Sequence, residues 1–149
     1  MSLTIRAATR ADVPFVVALL RDDILGQDRE VQALDAYYAA FDAMQREGSN
    51  TLYVAEIEAR IVATYQLTFI SGLSLTAARR AMIESVRVAA DLRRQGIGAK
   101  LFRDAEVRAR AAGCSLLQLT TYKTRKDAHR FYDRLGYVDS HVGYKKPLT

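Results

Sequence analysis

Residues 91–102 read DLRRQGIGAKLF, and they join a run of strand character, RRAMIESVRVAA at 79–90, to a run of helical character that begins near Ile97. A glycine-rich turn entering a helix directly after a strand presents backbone N–H groups without partners, together with the positive end of the helix dipole. Such a turn holds anions. Gly96 and Gly98 carry no side chain to keep a phosphate away from those amides, and Arg93 and Arg94 add charge without a competing acceptor. The stretch fits neither familiar nucleotide loop: it has no Gly-Lys-Ser/Thr run, and Leu101 occupies the third glycine position of GxGxxG. Taken alone it reads equally well as a helix N-terminus with closely packed glycines and solvated arginines.

Outward from this turn the chain divides into regular elements. LTIRAAT sets Leu3, Ile5 and Ala7 on one side of a first strand, and Thr9, Asp12 and Pro14 predict a helix from about Arg10 to Asp22. After GQDRE, the residues Val31, Leu34, Tyr37, Tyr38, Phe41 and Met44 recur at helical spacing until Gly48. TLYVAEIEARIVATYQLTFI at 51–70 is a pair of β-rich runs around EAR, the signature of a hairpin, and SGLSLTA is a polar break. Met82, Glu84, Val86 and Val88 then alternate onto one face of a strand. Leu101, Ala105, Arg108 and Ala112 trace one helical face to a stop at Gly113; CSLLQLTTY is a further strand, KDAHRFYDRLG a short helix ended by Gly136, and YVDSHVGYKKP terminal strand material. The predicted order is β-α-α-β-β-β-α-β-α-β. It implies an α/β (α+β) domain with a mixed sheet covered by helices on both faces.

Composition narrows the setting. With 149 residues, 50% hydrophobic and 26% charged, the chain is expected to be one domain, 1–149, with no apolar run long enough to cross a bilayer. The start MSLTIRAATRADV lacks the basic segment and apolar core of a secretory signal, and Cys114 has no second cysteine to pair with, so a cytoplasmic location is expected. The net charge of +5 conceals an asymmetry: residues 1–74 hold 6 Lys/Arg against 10 Asp/Glu, whereas residues 75–149 hold 16 against 7. A basic half calls for an anionic partner. Nucleic acid is not expected, because the basic residues form no dense tract and no zinc-finger or RNA-recognition motif accompanies them.

The two readings of the opening turn separate once its surroundings are included. Arg93-x-x-Gly96-x-Gly98 beyond a VRV strand end, followed some 30 residues later by DAHRFYDRLGY, resembles the acyl-CoA-binding core of the GNAT superfamily of N-acyltransferases. The second motif is carried by Ala128, the Phe131-Tyr132 pair and Leu135-Gly136-Tyr137, and the specific part of the resemblance spans about Met82 to Tyr137. Arg125 stands where the family often has Asn, and Ala90 where it often has Pro. The resemblance implies a mixed, mostly antiparallel sheet of six to seven strands flanked by about four helices. It also implies acetyl-CoA as acyl donor, with no metal. The pyrophosphate would lie on the amides from about Arg94 through Gln95, Gly96, Ile97 and Gly98 to Ala99, with Arg93 beside them. Pantetheine would run along Val86, Arg87 and Val88, and Arg125, Ala128 and Phe131 would line the cofactor from the second motif.

The same resemblance assigns chemistry. Acyl transfer to an alkyl amine, with a pKa of about 10 in water, needs a group to take its proton and one to protonate the departing thiolate. Glu84, two residues before Val86 and expected on the same strand face unless a bulge intervenes, is the candidate base. Tyr132 is the candidate acid, since the Tyr of the Phe-Tyr pair often has that role in the family. A backbone N–H near Val86 would face the oxygen that gains charge. His129 and His141 lack a paired nucleophile or metal spacing, and Cys114 reads as packing.

The expected acceptor is a small-molecule primary amine, drawn to the acidic RDDILGQDRE stretch with Asp22, Asp23, Asp28 and Glu30. A peptide N-terminus or lysine is the alternative acceptor, and a non-catalytic CoA-binding regulatory module is the alternative class. No membrane partner is expected. A homodimer stays open.

Overall fold

A computed structural model describes residues 2–22 and 33–149. Its strands are β1 (Thr4–Ala7), β2 (Asn50–Ile57), β3 (Arg60–Ile70), β4 (Arg80–Val88) and β5 (Leu116–Gln118). Its helices are α1 (Val13–Arg21), α2 (Asp35–Glu47), the single turn α3 (Ser74–Ala77), α4 (Ile97–Ala111) and α5 (Lys126–Arg134). The chain forms two units, Met1–Gln118 and Leu119–Thr149.

In the first unit the sheet order is β1-β2-β3-β4-β5, antiparallel except for the parallel β4–β5 pair. The hairpin predicted around EAR is its centre. Glu58 and Ala59 make its turn at positive φ, 50° and 65°, the left-handed pair a tight hairpin turn requires. One sheet face carries Val54, which packs with Ala8, Val13, Val16, Val17 and Phe41 beneath α1 and α2. The predicted Thr9–Asp12 box is present and opens a 3-10 turn, Arg10–Asp12, that leads into α1: the Asp12 carboxylate accepts from the Thr9 N–H at 2.7 Å, the Thr9 hydroxyl at 3.1 Å, and the Arg6 guanidinium at 2.7 and 3.1 Å. Four donors on one buried carboxylate hold it well below its ordinary pKa, with the Arg6 hydrogen bond as the main cause.

The opposite face carries Tyr53 and Tyr65, stacked with ring centroids 5.0 Å apart, under α4. The Tyr65 hydroxyl donates to Asp104 at 2.5 Å, Arg108 donates to the same carboxylate at 2.8 Å, and the Arg108 guanidinium lies 4.2 Å over the Tyr53 ring. Ile97, Leu101, Phe102, Ala105 and Ala109 are the buried positions of α4, so the predicted Leu101–Ala105 stripe continues through Ala109, while Arg108 sits at its margin. Helices therefore cover both faces, as expected.

Three expectations change. Among the described residues the sheet has five strands instead of six to seven and there are five helices instead of about four, because SGLSLTA contains the turn α3 with Leu75, Thr76 and Ala77 at positive φ. CSLLQLTTY yields only the three residues of β5. YVDSHVGYKKP, expected as terminal strand, contains none. Alternation marks a segment able to pair, whereas a strand exists only where an edge supplies its ladder.

In the second unit α5 ends at Gly136, whose φ of 91° and N–H to the Asp133 carbonyl at 3.0 Å turn the chain out of the helix.

Candidate active site

β4 is the element that places the candidate residues of the first unit. Its register against β3 is regular from Ile70↔Arg80 to Gln66↔Glu84 and then shifts, so that Thr64 pairs with Arg87 and Tyr65 faces both Ser85 and Val86. That extra residue is a β-bulge, with Ser85 at φ 54°. The bulge corrects the expected alternation. Glu84 and Arg87 share the α1–α2 face with Gln66 and Thr64, while Val86 and Val88 lie on the α4 face. Glu84 is exposed, and among the described residues it makes no ion pair; Arg87, three residues on, donates to the Val86 carbonyl at 3.0 Å, and Arg80, four residues back, donates to Gln118 at 3.0 Å.

β5 pairs only with Arg80, Ala81 and Met82, so among the described residues β4 from Ile83 onward has no strand of the sheet beside it on that edge. Backbone N–H and C=O groups there face outward, at the same place where Ser85 re-aims the chain.

The chain then leaves β4 for the turn predicted to hold an anion. The Ala89 N–H bonds to the Val62 carbonyl at 2.8 Å, Ala90–Leu92 form a 3-10 turn, and Asp91 accepts two hydrogen bonds of 2.9 Å from Arg60 of β3. Arg93 reaches back to the Val88 carbonyl at 3.2 Å. Arg94 and Gly96 both lie in the left-handed region, at φ 65° and 82°, and α4 begins at Ile97 with no side-chain cap. The amides of Ile97, Gly98 and Ala99 are those a helix cannot satisfy internally. Ile97 is buried and anchors the turn, whereas Arg93, Arg94 and Gln95 are exposed. Uncapped amides, the helix dipole and two guanidinium groups thus meet on one turn.

The second unit holds the other motif. Phe131 and Tyr132 pack edge to face with centroids 5.5 Å apart, and Tyr132 meets Tyr137 at 6.4 Å. Gly136 permits that return, and the Tyr137 N–H bonds to the Tyr132 carbonyl at 3.0 Å. Ala128, Phe131 and Leu135 are half-buried along one side of α5, as the apolar stripe requires. Arg125 lies exposed at the N-terminus of α5, on a recess of about 350 Å³ formed by Thr124–Ala128. His129 Nε2 contacts the Tyr122 carbonyl at 2.8 Å, and His141 Nδ1 contacts the hydroxyl of its chain neighbour Ser140 at 2.6 Å on the exposed surface. Cys114 is half-buried and reduced.

The acidic stretch assigned to the acceptor lies outside the described residues from Asp23 to Glu30. Sequence reasoning also missed two features. The Tyr65–Asp104–Arg108 network joins residues 39 positions apart and leaves no local trace. The polar row on the α1–α2 face, Gln66 with Asn50 at 3.4 Å and Arg80 with Gln118, was legible: Thr64, Gln66 and Thr68 alternate with Tyr65, Leu67 and Phe69 along the second hairpin strand.

An open-edged strand that bulges and then turns through left-handed residues into an uncapped helix joins exposed strand groups to an anion-binding turn, the kind of surface that suits a long phosphorylated cofactor. The family model for the acetyltransferase (GNAT) family matches residues 17–137, and the chain belongs to that family, whose enzymes are acyltransferases using acetyl-CoA. A protein of Bacillus halodurans C-125 described as a transcriptional regulator is 42% identical, with a TM-score of 0.93 over 99% of this chain and 100% of that one. A protein of Agrobacterium tumefaciens str. C58 named for acetyltransferase activity is 28% identical, with a TM-score of 0.87 over 97% and 99%. An aminoalkylphosphonate N-acetyltransferase of Salmonella typhimurium (strain LT2) is 46% identical over 66 residues, a stretch that spans less than half of either chain, 44% of this one and 43% of that one.

Proposed function

We propose that this chain works as one domain that transfers an acetyl group from acetyl-CoA to the primary amine of a small molecule, by direct attack in a ternary complex. The observation that carries the reading is the continuity of β4 with its turn: a strand edge that has no partner strand among the described residues from Ile83 to Val88 leads straight to the uncapped amides of Ile97–Ala99. These groups suit the donor. Amides and arginines at the turn match a pyrophosphate, and the open edge around Val86 and Val88 matches an arm bearing amide groups. Acetyl-CoA, when bound, supplies the thioester whose acyl carbon the amine attacks.

The chain's own residues do the rest. Gly96, Ile97, Gly98 and Ala99 bind through their N–H groups, and Arg93, Arg94 and Gln95 rim the turn. Arg125, Ala128 and Phe131 contribute from the second motif. Glu84, exposed and in no ion pair among the described residues, takes the proton of the ammonium directly or through water. A backbone N–H at the bulge beside Val86 meets the oxygen that gains charge. Tyr132 donates its phenolic proton to the departing sulfur. The Salmonella relative is named for an aminoalkylphosphonate acceptor, a small molecule, and this supports a small amine over a peptide.

Thiol release from acetyl-CoA across a panel of amines and peptides tests this reading. Amine-dependent release confined to small molecules is the expected result. Release only with peptides moves the acceptor to the alternative, and no release with any amine supports the regulatory module and overturns the proposal.

A further inference from the structure

On the α1–α2 face of β4, Arg80, Met82 and Glu84 stand in regular alternation opposite Ile70, Thr68 and Gln66. Arg80 and Glu84 are therefore opposite charges on one face, about 13 Å apart along the strand at Cα, with an uncharged residue between them. Neither makes an ion pair among the described residues, although the first unit has several elsewhere. Arg80 is half-buried and is held by Gln118, which β5 sets opposite Met82. The Gln118 carbonyl takes one of its five N–H donors. A half-buried guanidinium held in place by a neutral amide is a preorganised cation awaiting an anion.

We propose that Arg80 selects the acceptor by binding an anionic group at the end of the molecule remote from its amine, so that the substrates are short amines bearing a phosphonate or another small anion. Resting on the reading of Glu84 as the group that meets the ammonium, this adds the residue at the other end. The two charges bracket a zwitterion: Glu84 takes the ammonium, Arg80 the anion, and Met82 with Thr68 forms the floor between them. Arginine suits this role because its planar fork can present two N–H groups to two oxygens of one phosphonate. An amine without the anion leaves Arg80 to Gln118 and water, and gains nothing from it.

The test compares three acceptors of similar length, 2-aminoethylphosphonate, 3-aminopropionate and propylamine, with the unaltered enzyme, Arg80→Gln and Arg80→Lys. For the unaltered enzyme kcat/KM is expected to be highest for 2-aminoethylphosphonate and lowest for propylamine. Arg80→Gln lowers kcat/KM for the anionic amines about 100-fold, the effect expected on removing one partner of a charged hydrogen-bonded pair. It leaves propylamine within about threefold and the KM for acetyl-CoA unchanged, and Arg80→Lys recovers part of the loss by keeping the charge. An equal loss for all three amines, or no preference for the anionic ones, overturns the proposal while leaving acetyl transfer intact. Calorimetric titration of 2-aminoethylphosphonate into the protein with CoA present reads Arg80 without turnover: binding lost in Arg80→Gln supports the proposal even if no amine is acetylated, and its absence from the unaltered protein counts against it.

Discussion

Tyr65→Phe isolates the contact that fastens α4 to the sheet behind the β4 bulge. The Tyr65 ring is fully buried and its hydroxyl donates to the Asp104 carboxylate at 2.5 Å. A hydrogen bond to a charged acceptor contributes about 1.5–3 kcal/mol. Asp104 keeps its 2.8 Å bond from Arg108, and its side chain is 23% exposed, so water replaces part of what is lost. The lower end of that range applies, about 1.5–2 kcal/mol, or a fall in Tm of about 3–8 °C for a chain of this length. Urea unfolding at pH 7 reads this directly. The alkaline limb gives a sharper test. Burial first, and then Asp104, push the Tyr65 phenol well above its ordinary range. The unfolded phenol releases its proton near pH 10 while the folded one retains it, so the unfolded state binds fewer protons and stability falls as pH rises above about 10. One such group contributes a slope of about 1.4 kcal/mol per pH unit, which the unaltered protein has and Tyr65→Phe lacks. Other tyrosines and lysines cancel in the difference. Equal slopes for the two proteins between pH 10 and 11.5 would refute the reasoning, as would an Asp104→Asn change that costs as much in the Tyr65→Phe background as alone.

The remaining predictions concern the turn, the acid and the entry to α1. Gly96→Ala meets no atom within 4 Å of the added carbon but must hold φ near +82°; the backbone strain, about 1–2 kcal/mol, is expected to raise the KM for acetyl-CoA about tenfold with kcat little changed. Tyr132→Phe is expected to lower kcat at least 100-fold while calorimetry shows CoA binding retained, and unchanged turnover removes Tyr132 from the chemistry. Asp12→Asn acts at low pH. Because the folded carboxylate lies below its ordinary pKa, chiefly through Arg6, it stabilises the fold above about pH 4, and that contribution disappears as pH falls through the folded value. Denaturation midpoints from pH 7 down to pH 3 should converge for the two proteins.

The elements legible in the sequence are those whose signal is local. Leu101 and Ala105 mark α4 by period, Gly113 and Gly136 stop their helices at φ 82° and 91°, and Thr9 with Asp12 starts α1 through bonds that span three residues. The hairpin was readable from its two apolar runs, though its turn uses Glu58 and Ala59 where glycine would carry the left-handed angles without strain. The bulge had no comparable mark. Its left-handed residue is Ser85, and MIESVRV alternates without a break, so counting by twos carries Glu84 and Val86 to one side. One inserted residue reverses that. The same insertion separates two sets of side chains on the strand: Val86 and Val88 fall on the α4 face, next to the helix that begins at the glycine turn, while Glu84 falls on the α1–α2 face with Arg80. A regular β4 would place Glu84 with Val86 and leave Arg87 on the other face. With the bulge, the side chains proposed to face donor and acceptor come from one strand without competing for one surface, and the register of that strand against β3 is what keeps them apart.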